Sequence, residues 1–191
     1  MSKLVRNLTV TSLLAFAIGW NAYGIYAAFP TVEEYVPVEV SFQEPQEPVI
    51  DINQMHCLAT NIYHEARGES FAGKVAVANV THNRVNSERY PNSYCGVVYQ
   101  AQMYVNWRGN EVPARHKCQF SWFCDGKADV PKNVEAWERS RKLARDIYLD
   151  KDYIGITEGA THYHAYYVKP SWRRQMDRTT RIGSHIFYRW K

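Results

Sequence analysis

The sequence predicts an α+β domain in which a mainly helical lobe and a small antiparallel sheet enclose a cleft. Apolar residues recur at helical spacing in three segments, from Met55 to Ile62, from Gly73 to Arg84 and from Glu135 to Leu149. Two later segments, Thr161 to Val168 and Ile182 to Trp190, are rich in Tyr, Phe and β-branched residues, which is typical of strands. The 137 residues that follow the first 54 are close to the usual size of one domain with its own core.

Residues 1–29 have the character of an export signal. Lys3 and Arg6 precede an uncharged stretch, Asn7 to Val32, which is long enough to span a bilayer. Tyr26-Ala27-Ala28 is a poor cleavage site, which favours a signal anchor over a cleaved signal peptide. Because the basic residues direct the N-terminus inward, we expect the rest of the chain to be exported. It would be membrane-anchored and face the periplasm or cell wall, or be secreted if the segment is cleaved.

An acidic, proline-rich linker is predicted over residues 30–54. It shows no helical periodicity, and both its prolines and its like charges keep a chain extended. We therefore expect a stalk between the N-terminal segment and a domain over residues 55–191. The residues that give it this character are Pro30, Glu33, Glu34, Pro37, Glu39, Glu44, Pro45, Glu47, Pro48 and Asp51.

The charge of residues 55–191 is strongly positive. They carry 21 Lys and Arg against 13 Asp and Glu, a net charge of +8. A basic, exported domain suits an anionic polymer such as a bacterial wall, although the excess charge could also serve only solubility. Nucleic acid is not an expected partner, because no recognised binding motif is present and export argues against it.

The most informative motif is His64-Glu65-Ala66-Arg67-Gly68-Glu69, which lies between the first two predicted helices. Glu65 is placed at the end of an apolar-faced helix, beside the Gly68 break. There a carboxyl can be half-buried, with a raised pKa, and still face a cleft. Such a group can donate a proton to a leaving oxygen, as glycoside cleavage requires. Spacing alone leaves open a solvated surface carboxylate.

The later elements complete the expected scaffold. Glu135 to Leu149 is an amphipathic helix whose buried side includes Trp137, Leu143 and Ile147, with Ala144 and Tyr148. The two predicted strands are joined by a basic, polar segment from Lys169 to Arg181.

Several motifs in order resemble the spore-cortex-lytic-enzyme type of cell wall hydrolase, over roughly residues 56 to 190. The matching segments are Leu58 to Val85, Tyr90-Pro91-Asn92, Gly96 to Gln100, Gln119 to Trp122, His162 to Ala165, Lys169 to Trp172 and Arg181 to Tyr188.

This resemblance implies a lysozyme-like catalytic fold that needs no cofactor. It also implies cleavage of peptidoglycan between N-acetylmuramic acid and N-acetylglucosamine, in the manner of a lytic transglycosylase. Glu65 would protonate the glycosidic oxygen and then, as a base, take the proton from the 6-hydroxyl of the muramic sugar, which closes a 1,6-anhydro ring. In a plain muramidase, water would attack instead. One carboxyl can serve both steps, unlike the usual two-carboxylate arrangement.

Other residues of the matched motifs are expected near the site. Glu69 competes for the catalytic role, but we interpret it as a structural acceptor for backbone amides at the next helix start or for Arg67. Arg84 and Arg181 are interpreted as structural residues or wall-charge contacts. Gln119 and Ser121 are candidates for hydrogen bonds to the N-acetyl group or sugar hydroxyls, although they could equally cap their loop. Ring contacts with sugar are expected from Trp122, Tyr163, Tyr166 and Trp172, and His164 is expected to line or buttress the cleft.

The even number of cysteines suggests disulfides in an exported domain. Three pairings are possible, of which we favour Cys118 with Cys124 and Cys57 with Cys95. The first would brace the loop that carries Gln119 and Ser121. Zinc is the rival interpretation, but the spacing from Cys118 to Cys124 is poor for a structural site.

Two alternatives of a different class remain. His162 and His164, with His82 or His185, could hold zinc in a wall amidase or peptidase. However, no His-Glu-x-x-His is present and the resemblance implies no metal. A non-catalytic wall-binding module is the other alternative, against which the intact motif around Glu65 argues. The short catalytic part on an acidic stalk slightly favours a bacteriophage or Gram-negative setting.

Overall fold

The computed structural model describes residues 50–191. The predicted signal segment and nearly all of the predicted linker therefore lie outside the described residues. Within residues 50–191, no helix is long and apolar enough to cross a membrane.

The described part of the chain has an α+β architecture, as the sequence predicts. The helices are α1 (Ile52–Ala66), α2 (Phe71–Val85), α3 (Tyr94–Val98) and α4 (Val134–Tyr148), and the strands are β1 (Ala101–Val105), β2 (Glu111–Cys118), β3 (His162–Ala165), β4 (Met176–Ile182) and β5 (His185–Trp190). Short 3₁₀ turns occupy Ser121–Cys124 and Ser171–Gln175.

The three long helices begin where a polar side chain caps them. The Asp51 carboxylate accepts a hydrogen bond from the Asn53 backbone N–H at 2.9 Å, and Ser70 and Asn133 cap α2 and α4 in the same way. Helix α1 packs between α2 and α4. The core of this helical lobe is made of fully buried side chains from all three helices, among them Leu58, Ile62, Val75, Leu143 and Ile147.

Helix α4 confirms the predicted amphipathic segment to within one residue at each end. Leu143, Ala144 and Ile147 are buried, and Trp137 and Tyr148 pack against the same core from partly exposed positions. The opposite face is charged and forms exposed ion pairs along the helix, such as Arg141 with Glu138.

The sheet prediction needs correction, because the structure has two small antiparallel sheets. Strands β1 and β2 form a hairpin that the sequence analysis did not predict, and the second sheet has the order β3-β5-β4. Six of the seven residues of β4, Met176 to Arg181, lie in the segment that was predicted to be only a polar connection. The predicted strand from Ile182 to Trp190 is divided, because Ile182 ends β4 and pairs with His185 across a tight turn at Gly183.

The favoured disulfide pairing is confirmed. Cys57 is bonded to Cys95 and joins α1 to α3, and Cys118 is bonded to Cys124 and joins the end of β2 to the following 3₁₀ turn. The second bridge encloses the segment that carries Gln119.

Candidate active site

A cavity of about 200 Å³ opens at the C-terminal end of α1. Its wall is assembled from α1, the last turn of α2, strand β3 and the segment that follows β2. The side chains that line it are Glu65, Arg84, Cys118, Gln119, Phe120, Ser121 and Tyr163. Four predicted site residues, Glu65, Gln119, Ser121 and Tyr163, are thus brought together.

Glu65 occupies the last turn of α1, with its carboxyl largely withdrawn from solvent. Burial raises the pKa of Glu65, and this effect outweighs two opposing ones. The hydroxyl of Tyr163 donates a hydrogen bond to Glu65 Oε2 at 2.9 Å, and the positive charge of Arg84 also favours the carboxylate. Glu65 therefore holds its proton more tightly than an ordinary glutamate, while Tyr163 and Arg84 stabilise its ionised form.

Tyr163 is fixed by the sheet. It lies on β3 opposite Phe187 of the central strand β5, and its ring packs against Phe187 and His185. Burial and the nearby Glu65 carboxyl raise the pKa of Tyr163 well above its usual value. The hydroxyl therefore stays neutral and acts toward Glu65 as a hydrogen-bond donor.

Arg84 is the residue at this site whose position the sequence analysis missed. It is only 5% exposed, and its Nε–H donates to the Thr161 carbonyl oxygen at 2.8 Å. Its guanidinium lies 5.0 Å from the ring centre of Phe120 and 5.5 Å from that of Tyr90. The signal was its place one turn after Val80 in α2, a helix whose residues from Val75 to Thr81 are all buried.

Gln119 and Ser121 lie on the outer side of the cavity with exposed side chains. Their segment is held at one end by the Cys118–Cys124 bridge and by the Gln119 backbone N–H, which donates to the Gln100 carbonyl oxygen at 2.9 Å. The polar groups of both side chains are accessible for hydrogen bonds to a bound molecule.

Trp122 and Arg67 lie at a separate, larger cavity of about 570 Å³. The Trp122 ring is buried, stacks on His64 at 4.6 Å between ring centres, and donates its indole N–H to Asn61 Oδ1 at 3.0 Å. Arg67 lies over the Tyr63 ring. The structure does not bring these two predicted residues to the Glu65 cavity.

His164, Trp172 and Tyr166 also lie outside the lining of the Glu65 cavity. His164 is buried, with its Nε2 3.0 Å from the Tyr188 hydroxyl, and Trp172 packs against both of these rings. Tyr166 is exposed, with the Arg181 guanidinium 4.8 Å from its ring centre. His164 and Trp172 therefore belong to an aromatic cluster that stabilises the three-stranded sheet.

Glu69 is bound by the turn between β4 and β5. Its carboxylate accepts hydrogen bonds from the hydroxyl and the backbone N–H of Ser184, and these bonds lower the pKa of Glu69. The partners expected from the sequence, Arg67 or the first amides of α2, are not the ones found, because Ser70 caps that helix. A Cβ atom on Gly183 would lie only 2.5 Å from Glu69 Oε2, so the turn fits closely around the carboxylate.

The histidines of the predicted zinc alternative have other surroundings. Burial and the charge of Arg84 lower the pKa of His162 to about 4. His82 lies 2.7 Å from the Tyr94 hydroxyl, and His185 approaches Glu69 to 4.0 Å. Over residues 50–191, no three His, Cys, Asp or Glu side chains converge as a metal site would require.

Comparison with known proteins gives matches over most of the described residues. A family model described as cell wall hydrolase matches residues 68–188. The spore cortex-lytic enzyme of Bacillus subtilis strain 168 is 48% identical over 137 residues, which cover 71% of this chain and 37% of that protein. The spore cortex-lytic enzyme of Halalkalibacterium halodurans is 30% identical over 136 residues, which cover 71% of this chain and 34% of that protein. The chain thus spans little more than a third of these relatives.

A solved structure has the same fold. The catalytic domain of the Bacillus cereus SleB protein aligns with a TM-score of 0.53 and 24% sequence identity, over 75% of this chain and 94% of that domain. The lysozyme-like α+β class that the sequence led us to expect is confirmed.

Proposed function

The chain belongs to the cell wall hydrolase family, and from this premise we propose that residues 55–191 cleave the glycan strands of peptidoglycan. The bond would be the one between N-acetylmuramic acid and N-acetylglucosamine, and the reaction that of a lytic transglycosylase. The observation that carries this proposal is Glu65, a carboxyl with a raised pKa that faces a cavity. The family model begins at residue 68, so for Glu65 the proposal rests on its geometry and on the resemblance of the segment Leu58 to Val85.

In the first step, protonated Glu65 is the general acid. It gives its proton to the glycosidic oxygen, the bond from that oxygen to the muramic C1 breaks, and positive charge develops at C1. The raised pKa keeps Glu65 protonated at a pH where an ordinary glutamate is ionised. The other sugar leaves with a free hydroxyl.

In the second step, the Glu65 carboxylate is the base. It takes the proton from the 6-hydroxyl of the same muramic sugar, whose oxygen bonds to C1 and closes the 1,6-anhydro ring. Glu65 returns to its protonated form and no water is consumed. Between the steps, the Tyr163 hydroxyl and the charge of Arg84 stabilise the carboxylate.

The number of carboxylates favours this reaction over hydrolysis. Glycosidases that use water or a covalent intermediate usually need a second Asp or Glu about 5–9.5 Å from the acid. Among the described residues, Glu65 is the only carboxylate in the lining of its cavity. Glu69 is engaged by Ser184 and has a lowered pKa, which suits a structural acceptor. A water-using muramidase is the remaining alternative.

The expected setting follows from the rest of the chain. We infer export, with attachment to the membrane through residues 1–29, because an apolar stretch follows Lys3 and Arg6. The net charge of +8 on residues 55–191 supports an anionic wall polymer as the partner.

The experiment is digestion of purified peptidoglycan, followed by mass spectrometry of the released fragments. We expect anhydro-muramic ends from the unaltered chain, and a loss of at least about a hundredfold in rate for Glu65→Gln. Glu138→Gln is the matched control, because Glu138 is an exposed carboxylate on α4. Intact glycan with released peptides, or activity lost to a chelator, would overturn the proposal. Either result would favour the alternative of a zinc amidase or peptidase that uses the histidines.

A further inference from the structure

The Arg84 guanidinium is fixed in place, and its Nη1 is an unused hydrogen-bond donor. Nε is bonded to the Thr161 carbonyl, and the rings of Tyr90 and Phe120 lie close to the guanidinium. Nη1 is buried and has no hydrogen-bond partner among the described residues. A buried donor without a partner costs roughly 1–3 kcal/mol, more when it is charged, so folded proteins rarely leave one unused.

The same side chain lines the Glu65 cavity. We propose that Arg84 is a substrate-binding residue, whose Nη1 donates a hydrogen bond to an amide carbonyl oxygen of the glycan seated against Glu65. The proposal rests on the proposed function. It replaces the structural or wall-charge role that the sequence suggested for this arginine.

The chemistry of the donor defines the ligand group. A guanidinium has only donors, so the partner must be an acceptor. In an intact wall glycan the strongest uncharged acceptors are amide carbonyls, found on the 2-acetamido groups and on the lactyl amide that begins the stem peptide. The exposed amide of Gln119 and hydroxyl of Ser121, at the same cavity, can meet the N–H of that group.

The cavity presents a donor that is already fixed in place. Its volume of about 200 Å³ has room for a substituent such as an acetamido group. Because Arg84 is already immobilised, binding requires little further loss of side-chain entropy. The hydrogen bond would be present both in the bound substrate and in the transition state, so its removal should raise KM and leave kcat nearly unchanged.

The test compares Arg84→Lys and Arg84→Gln with the unaltered chain on three glycans: one with stem peptides, one without them, and one without stem peptides that has also been de-N-acetylated. Arg141→Lys is the matched control, because Arg141 is an exposed arginine on α4. We expect Arg84→Lys, which keeps the positive charge near Glu65, to raise KM about ten- to a hundredfold on acetylated glycan, with kcat nearly constant. Arg84→Gln should raise KM as much and should also lower kcat, because it removes a charge that stabilises the Glu65 carboxylate.

The pattern across glycans identifies the source of the carbonyl. An effect that disappears after de-N-acetylation assigns the acetamido group. One that remains on the de-N-acetylated glycan without stem peptides assigns the lactyl carbonyl, which is a carboxylate there and still accepts a hydrogen bond from a guanidinium. If the unaltered chain cleaves glycan and the variants keep its KM on all three, the inference is wrong and the proposed function stands. If the unaltered chain cleaves none, the proposed function itself fails.

A second measurement covers the case in which the Arg84 variants do not fold. In the Glu65→Gln chain with labelled arginine, the Arg84 side-chain NMR signals should shift when an acetylated, peptide-bearing glycan oligosaccharide binds, and Arg141 should not respond. Binding without a change at Arg84 would contradict the inference.

Discussion

At the residue scale, the pair formed by Glu65 and Tyr163 balances two needs of the proposed reaction. An acid must keep its proton, which burial favours, and the base that remains must be stable as a carboxylate, which a neutral donor at 2.9 Å favours. Arg84 adds a positive charge to the same cavity, and among residues 50–191 it forms no ion pair with either residue.

Replacing Tyr163 by Phe tests this balance. Because its hydrogen bond lowers the pKa of Glu65, its loss should raise that pKa further. The fall in kcat/KM on the alkaline side should therefore move to higher pH, while kcat at the optimum drops about tenfold or more because the carboxylate is less stable. His162, with a pKa of about 4, should be neutral throughout this range. An unchanged alkaline limb would contradict the account.

The raised pKa of Glu65 also has a consequence for stability. At acid pH, Glu65 is protonated in both the folded and the unfolded chain. As pH rises, Glu65 ionises first in the unfolded chain, because its pKa is lower there than in the folded chain. The free energy of unfolding therefore falls until the pH passes the pKa of Glu65 in the folded chain. Glu65→Gln should escape this loss and be more stable near pH 7 by roughly 1 kcal/mol, the usual size of one stabilising substitution. The difference should vanish below about pH 4. Urea unfolding at both pH values measures it, and Glu138→Gln should show no such pH dependence.

At the scale of secondary-structure elements, the two disulfides have different tasks. The Cys57–Cys95 bridge closes 38 residues and joins two core helices, and the Cys118–Cys124 bridge closes only 6 but carries the segment with Gln119 and Ser121. Loop-closure entropy predicts about 4 kcal/mol of stability for the first and about 2 kcal/mol for the second.

Removal of the first bridge should therefore affect stability more than activity, and removal of the second should affect activity more than stability. Replacing Cys57 and Cys95 by Ala should lower the unfolding free energy more, with catalysis retained in the fraction that stays folded. Replacing Cys118 and Cys124 should reduce kcat/KM more, because the cavity wall loses its brace. Denaturant unfolding and glycan digestion measure the two effects, and equal activity losses from both pairs would contradict this division.

The three long helices were predictable from sequence because apolar residues recur in each of them at helical spacing. Helix α3 was not predicted, because it has only five residues. Helix α4, with Leu143 and Ile147 on one face, matches its expected bounds within one residue. Strand β4 was missed because its alternation is obscured by charged, exposed residues such as Asp177 and Arg178. Its pairing with β5 depends on long-range contacts that local pattern does not reveal.

Part of the lining of the Glu65 cavity was predictable where a motif coincided with a chemical need. Glu65 was expected at a cleft because a helix end and a glycine break mark its place, and Tyr163 because it lies in a matched motif; their roles in catalysis and binding stay predictions. The place of Arg84 at this cavity was missed because an arginine usually marks a surface, and only the apolar residues just before it in α2 indicate burial. His164 and Trp172 lie in matched motifs too, but they pack in the sheet, so a motif alone did not separate scaffold from cavity.

At the scale of the whole molecule, attraction to the wall and bond cleavage depend on different parts of the domain. The excess positive charge is spread over residues 55–191, whereas the proposed chemistry needs only the Glu65 cavity. Long-range attraction to an anionic wall acts through solvent and is screened by salt, but contacts inside a buried cavity are screened much less.

Salt should therefore change binding more than chemistry. Raising ionic strength from about 0.01 M to about 0.15 M shortens the screening length from about 30 Å to about 8 Å. We expect KM on intact wall to rise several-fold while kcat stays nearly constant, and we expect little effect on short, uncharged glycan fragments. Equal salt effects on both substrates would argue that the charge serves only solubility.

The central claim is that one carboxyl, Glu65, serves as acid and then base, with the 6-hydroxyl of the substrate in place of water. The most direct measurement is digestion of peptidoglycan in water enriched in the heavy oxygen isotope, with mass spectrometry of the new muramic ends. The account predicts anhydro ends, each lighter than a hydrolysed end by one water and free of the isotope. Reducing muramic ends that carry one heavy oxygen would show that water attacks, and would contradict it.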